Sequence, residues 1–278
     1  MQKTAFLFVL VAFLWSSARE APTSTHRVPA RVGLVLIASA QDGFALAADG
    51  SSLNADGRVS QEQKLFQLGK RGALALTGAV SIQDPVGGQV RGEMNVARIA
   101  AAWVAAHGDA DLETANREVN AAIAAELSKF FSARDPGAAA GTFKFRVMAA
   151  GYSAGKPLLI VTTYFLPGTK RKPARTEQTS VAPKPGDLWI FGSSAAPAEI
   201  LSGKNAAFRT FREEPGAARF HSAQKSSLTA TDYVGLFRAM LQAAESAEGR
   251  KLDGKLAIVA APNQFATVTP TAGDISAH

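Results

Sequence analysis

Gly33-Leu34-Val35-Leu36-Ile37-Ala38-Ser39-Ala40-Gln41-Asp42-Gly43-Phe44-Ala45-Leu46-Ala47-Ala48-Asp49 holds two apolar runs, Gly33 to Ala38 and Phe44 to Ala48, on either side of Gln41-Asp42-Gly43. Asp followed by Gly suits a tight reversal, because Gly accepts the positive φ that such turns demand, so the stretch predicts a β-hairpin. After a polar stretch from Asp49 to Glu62, two more strands are expected at Lys64 to Leu68 and Ala73 to Leu76, with Lys70-Arg71-Gly72 between them. A sheet therefore opens the domain.

The period then changes. Val96, Ile99, Ala100, Trp103 and His107 recur at helical spacing, and Gly108 follows as a stop. Asp111 can cap a second helix whose Leu112, Ala115, Val119, Ile123, Leu127 and Phe130 lie near one stripe. Pro136 and Gly137 end this block, and strands return at Thr142 to Ala149 and Leu158 to Tyr164. A long Pro-rich loop, 166–187, precedes a strand at Leu188 to Phe191, and Gly192-Ser193-Ser194 leads into a short helical piece around Ala195 to Leu201. Thr229 and Asp232 have the spacing of a capping box for a long helix with Val234, Phe237, Leu241 and Ala244 on one side, closed by Gly249. Lys255 to Ala260 and Phe265 to Val268, separated by Pro262-Asn263, predict a last hairpin. The order of strands, two helices, strands, helix and strands fits an α+β, four-layer αββα sandwich of two mainly antiparallel sheets flanked by helices. A doubly wound fold would alternate strand and helix singly.

Residues 1–18 read as a secretory signal peptide: Lys3, the apolar run Ala5 to Trp15, then the small residues Ser16, Ser17 and Ala18. Eleven apolar residues are too few to span roughly 30 Å of hydrocarbon as a helix, so the run predicts export to the periplasm or outside the cell with no stable membrane anchor. The expected organisation is then an N-terminal extension at 19–32, one domain at 33–270 and a tail at 271–278.

The absence of cysteine removes disulfides, thiolate nucleophiles and cysteine metal sites. Formal charge is +7, and part of the excess gathers at Lys170, Arg171, Lys172, Arg175 and Lys184. No aromatic residue lies between Phe165 and Trp189, so the segment lacks the interleaved stacking residues of a nucleic-acid site and reads as a solvated loop. His26, His107, His221 and His278 lie far apart with no metal-ligand spacing, and neither a dinucleotide fingerprint nor a P-loop occurs, so no metal or cofactor is expected. Gly151-Tyr152-Ser153-Ala154-Gly155 matches the nucleophile elbow in letters only. An elbow needs a strand running into a helix, whereas Lys156 and Pro157 lead into another strand, so the five residues predict a hairpin turn.

The phrases Gly33 to Ile37, Asp42 to Asp49, Lys64-Leu65-Phe66-Gln67-Leu68 and Ala75-Leu76-Thr77-Gly78 resemble the opening of proteasome subunits, members of the N-terminal-nucleophile hydrolases. Val147 to Tyr164, Phe191-Gly192-Ser193-Ser194 and Leu228 to Ser246 are similar to later elements of that family. The resemblance covers roughly 33–268 and fits poorly at 166–187 and 204–227. It implies hydrolysis of a peptide or amide bond by an N-terminal hydroxyl whose own α-amine serves as base. Lys64 would favour the deprotonated nucleophile, Asp49 would orient Lys64, Gly78 would offer a backbone N–H to the oxyanion, and Ser193 would assist the proton network.

The family's threonine position falls on Gly33, with Val32 and Leu34 beside it, so no nucleophile is identified. Thr25 is the nearest upstream threonine, with Ser24 and Thr23 before it; eight extended residues reach roughly 26 Å, and Pro29 interrupts any continuous strand. Where the family has an aspartate near the end of the late helix, this chain offers Glu245 and Glu248. Two readings follow from the resemblance. One is a threonine- or serine-type peptidase or amidase that cuts off its own extension. The other is a non-catalytic assembly or binding protein that joins copies of itself, as in a ring, or binds a partner.

Overall fold

The computed structural model describes residues 33–53, 59–78, 80–86, 89–133, 144–165, 175–192, 217, 224–249, 252–260 and 264–268 of the 278. The opening hairpin forms as expected from β1 (Val35–Ala40) and β2 (Gly43–Ala48). Two short hairpins follow in regions without a clear apolar pattern, β3 (Ser51–Leu53) with β4 (Val59–Gln61), and β7 (Ser81–Val86) with β8 (Gln89–Asn95). Between these pairs lie β5 (Leu65–Leu68) and β6 (Gly72–Gly78).

Helices α1 (Val96–His107) and α2 (Leu112–Ala133) succeed one another, and Asp111 caps the second by accepting from Thr114 N at 2.8 Å. The chain continues through β9 (Lys144–Ser153), β10 (Lys156–Phe165), β11 (Arg175–Val181) and β12 (Leu188–Phe191). Helix α3 (Ala230–Glu248) begins at the expected capping box of Thr229 and Asp232, and β13 (Lys255–Ala260) and β14 (Gln264–Val268) close the described chain. The Gly151 to Gly155 segment is a hairpin turn between β9 and β10, with positive φ at Ala154 and Gly155.

One correction concerns the long Pro-rich segment. Arg175 to Val181, expected in a solvated loop, pairs along β10 as an edge strand. Its seven side chains are all exposed, so it carries no apolar alternation, and main-chain hydrogen bonds to β10 set its register. The helical piece expected at Ala195 to Leu201, the segments 1–18 and 19–32, and the tail 271–278 lie outside the described residues.

One sheet has the order β12-β1-β2-β13-β14 and the other β11-β10-β9-β6-β5, with every neighbouring pair antiparallel. Alternation within each strand sorts side chains into three cores. On β1, Val35 and Ile37 face the second sheet, whereas Leu36, Ala38 and Ala40 face α3. On β6, Ala73 and Ala75 face the first sheet, and Leu74 and Leu76 pack under α1 and α2. The layer order is therefore α3, first sheet, second sheet, α1 with α2, which is the αββα sandwich expected from the sequence. Both faces of each sheet are covered, so the central strands are nearly continuous apolar runs. Each fully buried Leu or Ile contributes roughly 1.5–3 kcal/mol.

Candidate functional site

The site lies where β1 begins. β1 and β2 pair with Val35 opposite Ala48, and Asp49 N donates to Leu34 O at 2.9 Å, so the hairpin register sets Asp49 beside the residues just before β1. Lys64 precedes β5 and is tied to the second sheet, its carbonyl accepting from Leu76 N at 2.8 Å. The two sheets thus bring the side chains together: Lys64 Nζ donates to Asp49 Oδ1 at 2.9 Å, with only 1% and 2% of their surfaces exposed. Burying two charges is tolerated because each offsets the other's lost hydration.

Gly33 stands over this pair. A Cβ at Gly33 would fall against Lys64 Nζ and 2.6 Å from Asp49 Oδ1, so the ion pair fills the space that a side chain at position 33 would take. Thr77 Oγ1 donates to Gly33 O and holds that backbone from the second sheet. The next residue, Gly78, has φ +101°, and a Cβ there would lie 2.6 Å from Phe145 Cα, so only glycine fits this close crossing of β6 and β9. On the other side, Gly192 at the end of β12 approaches so closely that its Cβ would sit 2.5 Å from Gly33 O.

Of the residues singled out from the sequence, Asp49, Lys64, Gly33 and Gly78 converge. Ser193 and Thr25 lie outside the described residues. Glu245 accepts from Leu252 N at 2.8 Å and ties the end of α3 to the approach of β13, while the side chain of Glu248 lies outside the described residues. Thr77 is the site residue that the sequence reading left without a role; its signal was a polar side chain on the inter-sheet face of an otherwise apolar strand.

A cavity of about 690 Å³ opens at the opposite end of β6, lined by Arg71, Gly72, Asp111, Arg117 and Tyr152 among others. Gly72 and Gly78 are six residues apart on one strand, about 20 Å, so this cavity does not belong to the Gly33 site. Among the described residues no group of three or more His, Asp or Glu side chains could hold a metal, and no helix is long and apolar enough to cross a membrane.

The layers and the sealed Asp49–Lys64 pair define an α+β sandwich with an ionic site at the start of its first inner strand. No protein-family model and no curated protein matches the chain. Among solved structures, the chain is similar to the Anbu (Gly-1) mutant from Hyphomicrobium sp. strain MC1, at 11% identity and a TM-score of 0.47, over 86% of this chain and 88% of that one.

Proposed function

We propose that this chain is an exported, non-catalytic binding or assembly protein on the frame of a proteasome-like N-terminal-nucleophile hydrolase. It keeps the lysine and aspartate of the ancestral site and has lost the nucleophile. The observation that carries this reading is Gly33: a side chain there would meet Lys64 Nζ and Asp49 Oδ1, and glycine has no hydroxyl to activate. The basic, apolar and small-residue succession in residues 1–18 supports export.

In a working site of this class, the lysine's charge would favour a hydroxylate within hydrogen-bond reach. Here Asp49 orients Lys64 as such a site requires, but the adjoining main chain offers a hydrogen atom where the hydroxyl-bearing carbon would be. What remains is a stable structural ion pair beneath a backbone held by Thr77.

The test is covalent labelling. Purified mature protein is incubated with a peptide epoxyketone, which forms adducts with N-terminal hydroxyl nucleophiles, and its intact mass is measured. We expect no adduct and no slow loss of residues before Gly33. An adduct at a newly exposed Thr23, Ser24 or Thr25 would replace this reading with that of a self-processing peptidase or amidase.

A further inference from the structure

The second sheet presents an unusual set of charges toward the first, next to Gly33. Strand registers define two rows. Thr77 is opposite Arg146, Arg146 opposite Thr163, and Thr163 opposite Glu177; in the adjacent row, Lys144 is opposite Phe165 and Phe165 opposite Arg175. Phe145 and Tyr164 point to the helices, so by alternation Lys144, Arg146, Thr163 and Phe165 point the other way.

Arg146 lies between two neighbours of the Gly33 site. It flanks Thr77, which donates to Gly33 O, and its guanidinium lies 5.7 Å from the ring centroid of Phe191, whose strand partner is Val35. Arg146 is partly buried, no carboxylate among the described residues forms an ion pair with it, and its guanidinium lies over the Phe191 ring. Burial disfavours its charged form, and Lys144 is pulled down by burial first and by the Arg146 charge second. The cations in this corner repel one another, and the nearby carboxylate, Glu177, pairs with Arg175 at 3.1 Å while also attracting Lys144.

We propose that Arg146, Lys144 and Arg175 form an anion subsite beside Gly33 that takes the carboxylates of an acidic peptide segment. A guanidinium already stripped of part of its water and lacking a carboxylate gains most from a two-pronged carboxylate contact. The rings favour a peptide over a nucleic acid. Phe165 is covered by Lys144 at 5.1 Å and by Arg175 at 4.4 Å from its centroid, and Arg146 covers Phe191, so these faces already hold cations and are not open to stacked bases. The exposed edge strand β11 starts at Arg175 and offers main-chain pairing to an extended segment that enters here.

This inference rests on the reading of the chain as a binding protein and names its ligand class. It is tested by fluorescence anisotropy with fluorescein-labelled hexaglutamate, hexaglutamine as the neutral control and a hexathymidylate single strand as the phosphate control. We expect hexaglutamate to bind, Arg146→Gln to weaken it by about 10-fold or more, and Lys144→Gln by about 3-fold, with Arg146→Lys between them. Both glutamine variants should melt as the unaltered protein does, since the repulsion each removes offsets the ring contact it loses. Equal affinity for hexaglutamine, tighter binding of hexathymidylate, no binding of hexaglutamate, or affinity unchanged in a folded Arg146→Gln protein would each overturn the proposal. Epoxyketone labelling tells the two failures apart: an adduct removes the non-catalytic reading, whereas absent peptide binding without an adduct removes the anion subsite alone.

Discussion

Lys64 Nζ donates to Asp49 Oδ1 across 2.9 Å in the space that a side chain at Gly33 would take, joining the end of a strand in one sheet to the start of a strand in the other. The contact is a bridge between layers. Its energetic weight lies less in net attraction than in the cost of leaving either charge buried without the other.

Lys64→Met should therefore destabilise the protein by about 3–5 kcal/mol, because Asp49 keeps its buried charge and loses the ammonium. The double variant Lys64→Met with Asp49→Leu should recover most of that loss, since apolar side chains of similar size need no compensation. Urea unfolding midpoints of the two variants check this, and a double variant no better than the single would contradict it.

Gly33→Ala should cost about 1 kcal/mol, because the added methyl makes the tips of Lys64 and Asp49 shift within a buried ion pair. At about 2–4 °C per kcal/mol for a chain of this size, calorimetry should record a clear fall in melting temperature. An unchanged melt would mean that the ion pair does not hold that space.

The chain has three tyrosines, and all three should resist ionisation. Tyr233 is pushed up to about 12 by burial and by Asp187 and Asp232, Tyr164 is pushed up by burial, and Tyr152 by burial and then Asp42. Each folded value is above the ordinary 10.0, so the stabilisation from all three is complete below pH 10, and that from Tyr233 fades as pH rises through about 12. Tyrosinate absorbance in a pH titration should stay low near pH 10 and then rise together with loss of the circular dichroism of the fold. Independent ionisation of all three near pH 10 would refute this.

Legibility along the chain followed burial. β1, β2, α1, α2 and α3 announced themselves because each buries a face, so their apolar residues recur with a period set by the backbone. Asp111 and the Thr229–Asp232 pair were readable because caps are local chemistry, satisfied within three residues. β11 was invisible for the opposite reason, since its exposed Arg, Thr, Glu and Gln side chains pay no penalty in either a loop or a strand. The charges of Lys144 and Arg146 on alternate positions of a strand whose buried residues are apolar were a signal of the same kind as Thr77, a polar face where the sheets part.

By itself the sequence determined which segments are strands and helices in the core, where several of them stop, and that position 33 has no side chain, because periodicity, capping and residue identity are properties of short stretches of chain. Only the tertiary structure decided that Gly33, Asp49, Lys64 and Thr77 meet at one point and that Arg146 stands beside them. Those contacts join residues from two sheets, and their distances depend on how the layers stack, which no spacing along the chain encodes.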